Sequence, residues 1–223
     1  MRNLKFKSVF DIMGPVMIGP SSSHTAGAVR IGKIVHSIFG EQPTEVDFHL
    51  YQSFAKTYQG HGTDLALVAG ILGMDTNDAR IPQSLELADK AGIKIFWHIH
   101  KDEKADHPNT ALISIKSDTK QMTIKGISIG GGNIQVTELN GFDIALNMNT
   151  PTFIIVHQDV PGMIARVTEC LSSHQINIAQ MNVTRENAGD QAIMIIEVDS
   201  HDATQALAEI RDIPQLYNVN FFD

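Results

Sequence analysis

Two short segments combine histidine with small polar residues and could bind and deprotonate a small substrate. The first, Gly19-Pro20-Ser21-Ser22-Ser23-His24-Thr25, stands directly before a stretch with helical hydrophobic spacing. Its N–H groups and hydroxyls would converge where the helix dipole favours an anion such as a carboxylate. It lacks the lysine of a nucleotide-binding P-loop. The alternative is a serine-rich helix cap beside an exposed histidine.

The second segment is Gly60-His61-Gly62-Thr63-Asp64. Its two glycines would let the backbone present the imidazole in a cleft and admit a ligand close to the main chain. Histidine is a common general base because its pKa lies near neutrality. The alternative is a loop histidine beside a helix cap formed by Thr63 or Asp64.

Two further patterns have both a functional and a structural interpretation. Ser128-Ile129-Gly130-Gly131-Gly132 follows an expected strand, and its glycines could expose amides to an oxyanion or simply bend a sheet. His98 and His100 would share a strand face and could bind a metal with His107. The charged residues that surround them favour a solvated loop edge, so we expect no metal ligands on this chain.

Composition limits the classes of partner. The 223 residues include 17 Lys and Arg against 25 Asp and Glu, a formal net charge of -8, which lacks the basic footprint of a nucleic-acid binder. Apolar runs are far shorter than the roughly 18 residues that span a membrane. We therefore expect a cytoplasmic protein without nucleic-acid or membrane partners. A single cysteine, Cys170, cannot form an iron–sulfur site alone and is expected to be a small buried hydrophobe.

The elements that position these segments fall into two regions, 1–149 and 150–223, separated by a polar stretch ending at Pro151. The first region has the mixed pattern of an α/β domain. Hydrophobic periodicity and breakers predict helices at Ser8–Met13, around Ile31–Phe39, around Leu65–Leu72 and between Pro82 and Gly92, and strands at Glu45–Tyr51 and from Ile93 onward. Asn140-Gly141 predicts a two-residue hairpin turn.

The second region predicts a βαββαβ ferredoxin-like sandwich, so the fold class is α+β overall. The expected elements are a strand at Phe153–Val156, a helix after Asp159–Gly162, strands at Ile176–Thr184 and Ala192–Val198, a helix capped by Ser200, and a last strand at Leu216–Phe222. The N–H groups at the start of the first helix suit an amino-acid carboxylate.

Taken together, four segments resemble the beta chain of the iron–sulfur-dependent bacterial L-serine dehydratases. They are Ser8-Val9-Phe10-Asp11, Gly19–Thr25, Gly60–Asp64 and Ser128–Gly132. The resemblance covers residues 1 to about 149. Residues 150–223 look like an ACT domain, an amino-acid-sensing module. The first region also resembles the allosteric substrate-binding domain of some phosphoglycerate dehydrogenases.

The first resemblance implies deamination of L-serine to pyruvate and ammonia at a [4Fe–4S] cluster that a separate alpha chain ligates. His24 and His61 are then the candidate catalytic residues, and the sequence leaves open which of them is the base. The implied substrate-binding residues are Ser21, Ser22, Ser23, Thr25, Gly60, Thr63, Asp64, Gly130 and Gly131. The alternative is a non-catalytic amino-acid-binding regulatory subunit.

The ACT resemblance implies self-association through paired domains and an effector site on the loop before the first helix. The implied effector-binding residues are Asp159, Pro161, Gly162 and Met163. An assembly module that binds no ligand is the alternative.

Overall fold

A computed structural model describes residues 15–147, 150–185 and 187–222. The chain divides into two units, Met1–Asn140 and Gly141–Asp223. The boundary expected from the sequence lies after residue 149, beyond strand β6 (Phe142–Leu146), whereas this division lies before that strand. The predicted helix Ser8–Met13 falls outside the described residues.

The first unit alternates helices and strands. After a π-helical turn at Ser22–Ala26 come α1 (Gly27–Phe39), β1 (Glu45–Tyr51), α2 (Gln52–Thr57), α3 (Thr63–Ile71), a 3₁₀ turn (Ile81–Gln83), α4 (Ser84–Lys90), β2 (Lys94–His100), β3 (Thr110–Lys116), β4 (Gln121–Gly130) and β5 (Asn133–Leu139). The sheet order is β2-β1-β3-β4-β5-β6. Strand β2 is parallel to β1, whereas β1–β3, β3–β4 and β4–β5 are antiparallel.

Helices α1 and α3 approach each other backbone to backbone. A Cβ added to Gly32 would lie 2.2 Å from the Leu67 carbonyl oxygen, and one added to Gly70 would lie 2.2 Å from that of Val29. Only glycine permits such an approach. Helix α1 in turn lies on β4, where a Cβ at Gly126 would meet Ile31 at 2.8 Å. The close packing holds together the two helices that the histidine segments precede.

The strands of the first unit bury alternate residues, as their period-two pattern predicts. Val46, Phe48 and Leu50 of β1 are fully buried, while the intervening Asp47 and His49 are only half-buried. Asn140 and Gly141 have φ of 51° and 85° and form the predicted two-residue turn between β5 and β6.

The second unit confirms the βαββαβ order. Its elements are β7 (Thr152–Gln158), α5 (Met163–Ser173), β8 (Ile178–Arg185), β9 (Gln191–Val198), α6 (Thr204–Arg211) and β10 (Leu216–Phe222). They form an antiparallel sheet in the order β10-β7-β9-β8. Its core contains Phe153, Ile155, Val167, Leu171, Met194, Ile196 and Val219.

The predicted Ser200 cap is wrong. Helix α6 begins at Thr204, whose backbone N–H donates to Asp202 Oδ1 at 3.2 Å. The Ser200 hydroxyl donates instead to the Asp202 carbonyl at 2.8 Å. The N-cap position is occupied by Ala203, and the side chain that contacts the first N–H of the helix is that of Asp202. In the part of the chain that is described, no helix has the length and apolar character needed to cross a membrane.

Candidate functional site

The Gly19–Thr25 segment forms a tight turn at the start of α1. The Ser21 hydroxyl accepts the His24 backbone N–H at 3.1 Å. Backbone N–H groups of Thr25 and Ala26 donate to the Ser21 carbonyl, and that of Gly27 donates to the Ser22 carbonyl. These amides are therefore satisfied within the turn. The serine hydroxyls, rather than these amides, are the groups left to contact a ligand.

Serine hydroxyls surround both nitrogens of the His24 ring. Nε2 lies 2.9 Å from Ser53 Oγ, and Nδ1 lies 3.2 Å from Ser23 Oγ and 3.3 Å from Ser21 Oγ. The Phe54 ring packs at its edge, with centroids 5.5 Å apart. Burial, with a further contribution from His61, lowers the pKa of His24. The imidazole is therefore mainly neutral at neutral pH.

The structure brings the two predicted histidine segments together. The rings of His24 and His61 lie 5.1 Å apart at an angle of 84°. The Thr25 hydroxyl donates to the His61 carbonyl at 3.1 Å, and the Thr63 hydroxyl donates to the His24 carbonyl at 3.0 Å. This reciprocal pair of hydrogen bonds, made by buried threonines, fixes the separation of the two backbones.

The two histidines differ in what contacts their nitrogens. His61 Nδ1 is buried and has no hydrogen-bond partner among the described residues. Both nitrogens of His24 are in contact with hydroxyls. A buried ring nitrogen without a partner in the described chain is a group that a ligand or a partner chain could satisfy.

Asp64 adds an unsatisfied carboxylate oxygen to the same segment. The exposed Gly60 begins the segment, and Gly62, with φ of 63°, starts helix α3. Asp64 in the first turn is 8% exposed, and its Oδ1 has no partner within the described chain. Burial raises the pKa of this carboxyl. Because an unpaired buried acceptor is costly, this oxygen is a candidate acceptor for a cationic ligand group.

Ser53 is a site residue that the sequence analysis missed. It is the second residue of α2, two positions after the last residue of β1, and no motif marked it. The available signal was its position at the end of a strand that alternates buried and half-buried residues, where loops often carry functional groups.

The glycine segment forms a hairpin turn between β4 and β5, rather than the bend in a sheet given as its structural interpretation. Gly131 and Gly132, with φ of 63° and 81°, connect Gly130 to its pairing partner Asn133. Positive φ at both central positions is what such a turn requires. The substrate contacts expected of Gly130 and Gly131 stay a prediction. Ser128, at the other end of the segment, lies against the start of α1, since a Cβ at Gly27 would be 2.2 Å from its Oγ.

The histidines of β2 contact a histidine that the sequence analysis did not connect with them. His107 Nδ1 accepts the Asn109 backbone N–H at 3.1 Å. His49 of β1 instead stacks on His98 at 4.2 Å, and its Nδ1 lies 3.1 Å from Nε2 of His100. The parallel pairing of β1 with β2 produces this histidine ladder, which we define as His49, His98 and His100.

The donors of this chain do not fit an iron–sulfur cluster. Cys170 is 5% exposed in the second unit, as expected of a buried hydrophobe, and burial raises the pKa of its thiol to about 11. The neighbouring side chains of a type that can bind a metal ion are those of His174 and Glu209, which lie 2.7 Å apart. Such a cluster needs several thiolates, and one thiol cannot provide them.

The four predicted effector residues line one cavity in the second unit, with a volume of ≈ 570 Å³. Other lining residues include His157, Val183 and Arg185. Asp159 accepts hydrogen bonds from Arg185 at 2.6 Å and from the Gly189 N–H at 3.0 Å, and these bonds lower the pKa of its carboxyl. His157 is 2% exposed, and its Nε2 lacks a partner in the described residues.

Comparison with known proteins gives consistent matches over both units. Residues 8–139 match the family model "Serine dehydratase beta chain", and residues 152–215 match "ACT domain". The chain is 46% identical over 216 residues to the probable L-serine dehydratase beta chain of Bacillus subtilis (strain 168), covering 97% of this chain and 98% of that protein. It is 36% identical over 193 residues to the L-serine dehydratase beta chain of Peptoniphilus asaccharolyticus, covering 86% and 87%.

A more distant match involves another class of enzyme. The chain is 26% identical over 201 residues to D-3-phosphoglycerate dehydrogenase of Bacillus subtilis (strain 168), covering 88% of this chain and 37% of that protein. The nearly full-length match to the dehydratase chain is both closer and more complete. This chain therefore belongs to the serine dehydratase beta-chain family and carries a C-terminal ACT domain.

Proposed function

We propose that this chain is the beta subunit of an L-serine dehydratase and acts in complex with a separate alpha chain. The observation that carries the proposal is the joining of the two histidine segments into one site by reciprocal threonine hydrogen bonds. Family membership supports it. In the reaction L-serine loses its α-proton and hydroxyl as water, and hydrolysis of the resulting enamine, through its imine, gives pyruvate and ammonia.

We assign the base to His61 and an orienting role to His24. A base must offer a free lone pair at the proton it abstracts, and the buried Nδ1 of His61 is unpartnered in the described chain. His24 is held by hydroxyls at both nitrogens. Its lowered pKa keeps it neutral, which avoids repulsion when His61 becomes protonated.

The remaining residues divide between binding and support. Thr25 and Thr63 donate their hydroxyl hydrogens to backbone carbonyls. They therefore support the histidines rather than bind substrate. The hydroxyls of Ser22 and Ser23 are proposed to hold the substrate carboxylate, and Asp64 its ammonium group, while the Ser21 hydroxyl contacts the backbone N–H and Nδ1 of His24. The free Oδ1 of Asp64 supports the assignment of the ammonium group.

The proposal places the [4Fe–4S] cluster on the alpha chain, since the donors of this chain do not fit it. When bound in the complex, such a cluster would supply a Lewis acid for the leaving hydroxyl. The residues of this chain would hold the serine and take its α-proton.

Hydrogen exchange at the α-carbon tests the assignment of the base. We expect the complex to exchange the α-hydrogen of serine with deuterated solvent, and His61→Asn to abolish this exchange while substrate still binds. Exchange that persists in His61→Asn and is lost in His24→Asn would reverse the assignment.

The competing function is a regulatory subunit without a catalytic role, which the phosphoglycerate dehydrogenase match favours. Under it, substitutions at His24 and His61 would weaken effector binding or regulation and leave the chemistry intact. Loss of turnover with unchanged ligand affinity would support the catalytic role.

We also propose that the cavity of the ACT domain binds an amino-acid effector and that the domain pairs with a second copy. Asp159 and His157 line this cavity beside the start of α5, where a helix N-terminus favours the carboxylate of an amino acid. Calorimetry of the full chain should show heat with L-serine or another common amino acid. Asp159→Ala should remove it, and the exposed control Asp212→Ala should not; no heat with any common amino acid would refute the effector role.

A further inference from the structure

We propose that Ser53 is a positioning residue, which holds the Nε2 end of His24 and determines which ring nitrogen carries the hydrogen. This inference rests on the proposed function of the same site and adds a residue to it. Ser53 Oγ lies 2.9 Å from Nε2, the shortest contact that the His24 ring makes with a hydroxyl.

The hydrogen bonds of Ser21 indicate the tautomer. Its oxygen already accepts the His24 backbone N–H, so its own hydroxyl hydrogen is available to donate to Nδ1 at 3.3 Å. The Ser23 hydroxyl, at 3.2 Å, offers a second donor to the same nitrogen. A neutral imidazole has one acceptor and one donor nitrogen. With two hydroxyls able to donate to Nδ1 and one hydroxyl at Nε2, we assign the lone pair to Nδ1 and the hydrogen, donated to Ser53, to Nε2.

This arrangement leaves the hydroxyl hydrogen of Ser53 available to the substrate. The Ser53 oxygen accepts the Nε2 hydrogen of His24. Its own hydroxyl hydrogen can therefore be donated to a carboxylate or a hydroxyl bound beside His24. Ser53 would thereby connect the orientation of His24 to the presence of ligand.

The backbone around Ser53 follows a residue of uncommon conformation and is held by two hydrogen bonds. The preceding residue, Gln52, has φ of 43°, a left-handed conformation that is uncommon outside glycine. The Ser53 N–H donates to the Pro108 carbonyl at 2.8 Å, and the Thr57 hydroxyl donates to the Ser53 carbonyl at 2.8 Å. Residues held in uncommon conformations by their surroundings concentrate at functional sites.

Nitrogen NMR of the His24 imidazole in the full chain, without any alpha chain, tests the inference directly. We expect the wild type to show a single tautomer with hydrogen on Nε2. Ser53→Ala should give mixed tautomers, and Ser53→Thr, which keeps the hydroxyl, should restore the wild-type signals. Ser37→Ala, on the partly exposed side of α1, is the matched control and should change nothing. Unchanged His24 signals in a folded Ser53→Ala chain would overturn the inference.

Activity of the reconstituted complex provides the second readout. We expect Ser53→Ala to lower kcat by about 10-fold or more, within the range of a lost positioning contact, and Ser53→Thr to recover most of it. Wild-type turnover in both variants would overturn the positioning role. An inactive wild-type complex would instead refute the proposed function, while the NMR experiment would still decide whether Ser53 orients His24.

Discussion

At the scale of residues, the site depends on two histidines in contrasting surroundings. His24 is enclosed by hydroxyls, whereas His61 Nδ1 is buried without a partner in the chain as described. Contrasting environments at neighbouring titratable groups are a common basis for assigning separate catalytic roles. The free nitrogen makes His61 the residue whose loss should affect chemistry most.

We expect His61→Asn to reduce kcat of the assembled complex by ~10²–10⁴-fold, the usual contribution of a general base. Steady-state pyruvate formation measures the effect. His201→Asn, an exposed histidine of the second unit, is the control and should retain full turnover. Near-normal kcat in His61→Asn would remove His61 from the mechanism.

Asp64 should show a conflict between stability and binding. Burial raises the pKa of its carboxyl, so the folded chain binds more protons there than the unfolded chain, and stability is lost as pH rises through the folded pKa. We expect Asp64→Asn to raise or preserve the melting temperature at pH 7 and to raise KM for serine about 10-fold or more, through loss of a charge-assisted bond. A destabilised variant with unchanged KM would contradict the assignment.

At the scale of elements, the sequence predicted the main helices and strands because their hydrophobic periods are clear. Helix α2 was missed because it has only six residues, too few to establish a period. The turn at Asn140-Gly141 was predictable because positive φ selects those residue types.

Which strands pair within the sheet was harder to predict from the sequence than the strands themselves. His98 and His100 were expected to share a strand face, but no sequence pattern predicts that β1 lies beside β2 in parallel. That pairing brings His49 into the ladder and leaves His107 outside it. Long-range pairing follows from the whole fold rather than from a local pattern.

The histidine ladder should make stability depend on pH. Burial, then His98 and His100, lower the pKa of His49 from 6.5, although Asp47 and Glu103 oppose the shift. The unfolded chain then binds more protons at His49 than the folded chain does. The free energy of unfolding therefore rises with pH between the folded and unfolded pKa values of His49. We expect the free energy of unfolding to fall between about pH 7.5 and 5.5, and His49→Phe to weaken this dependence.

Urea denaturation at several pH values measures the effect. The dependence should be reduced rather than abolished, since the pKa values of His24 and His107 are also lowered. His201→Phe should leave it unchanged. An identical slope for His49→Phe and the wild type would contradict the role of the ladder.

The contact between α1 and α3 should leave no room for a Cβ atom at Gly32. A Cβ at Gly32 would lie 2.2 Å from the Leu67 carbonyl oxygen, and both groups belong to helix backbones. We expect Gly32→Ala to destabilise the chain by about 1–3 kcal/mol through overpacking, measured by chemical denaturation. Ser37→Ala on the same helix is the control; equal stability of the two variants would show that the helices can separate.

At the scale of the whole molecule, the chain combines a histidine site in one unit with an ACT cavity in the other. The sequence singled out the two histidine segments, and the structure added what spacing could not: the reciprocal threonine bonds, Ser53, and the different surroundings of His24 and His61. These depend on contacts between residues far apart in the chain. The side chains around Cys170 do not form the ligand set of an iron–sulfur cluster. The proposed reaction therefore requires a second chain.

The most direct test is pyruvate formation from L-serine by this chain, by its proposed alpha chain, and by the two together. The chains would be produced separately and together, and iron and sulfide would be restored without oxygen. We predict turnover by the pair and none by either chain alone. Full turnover by the alpha chain alone would contradict the divided site and make this chain a regulator.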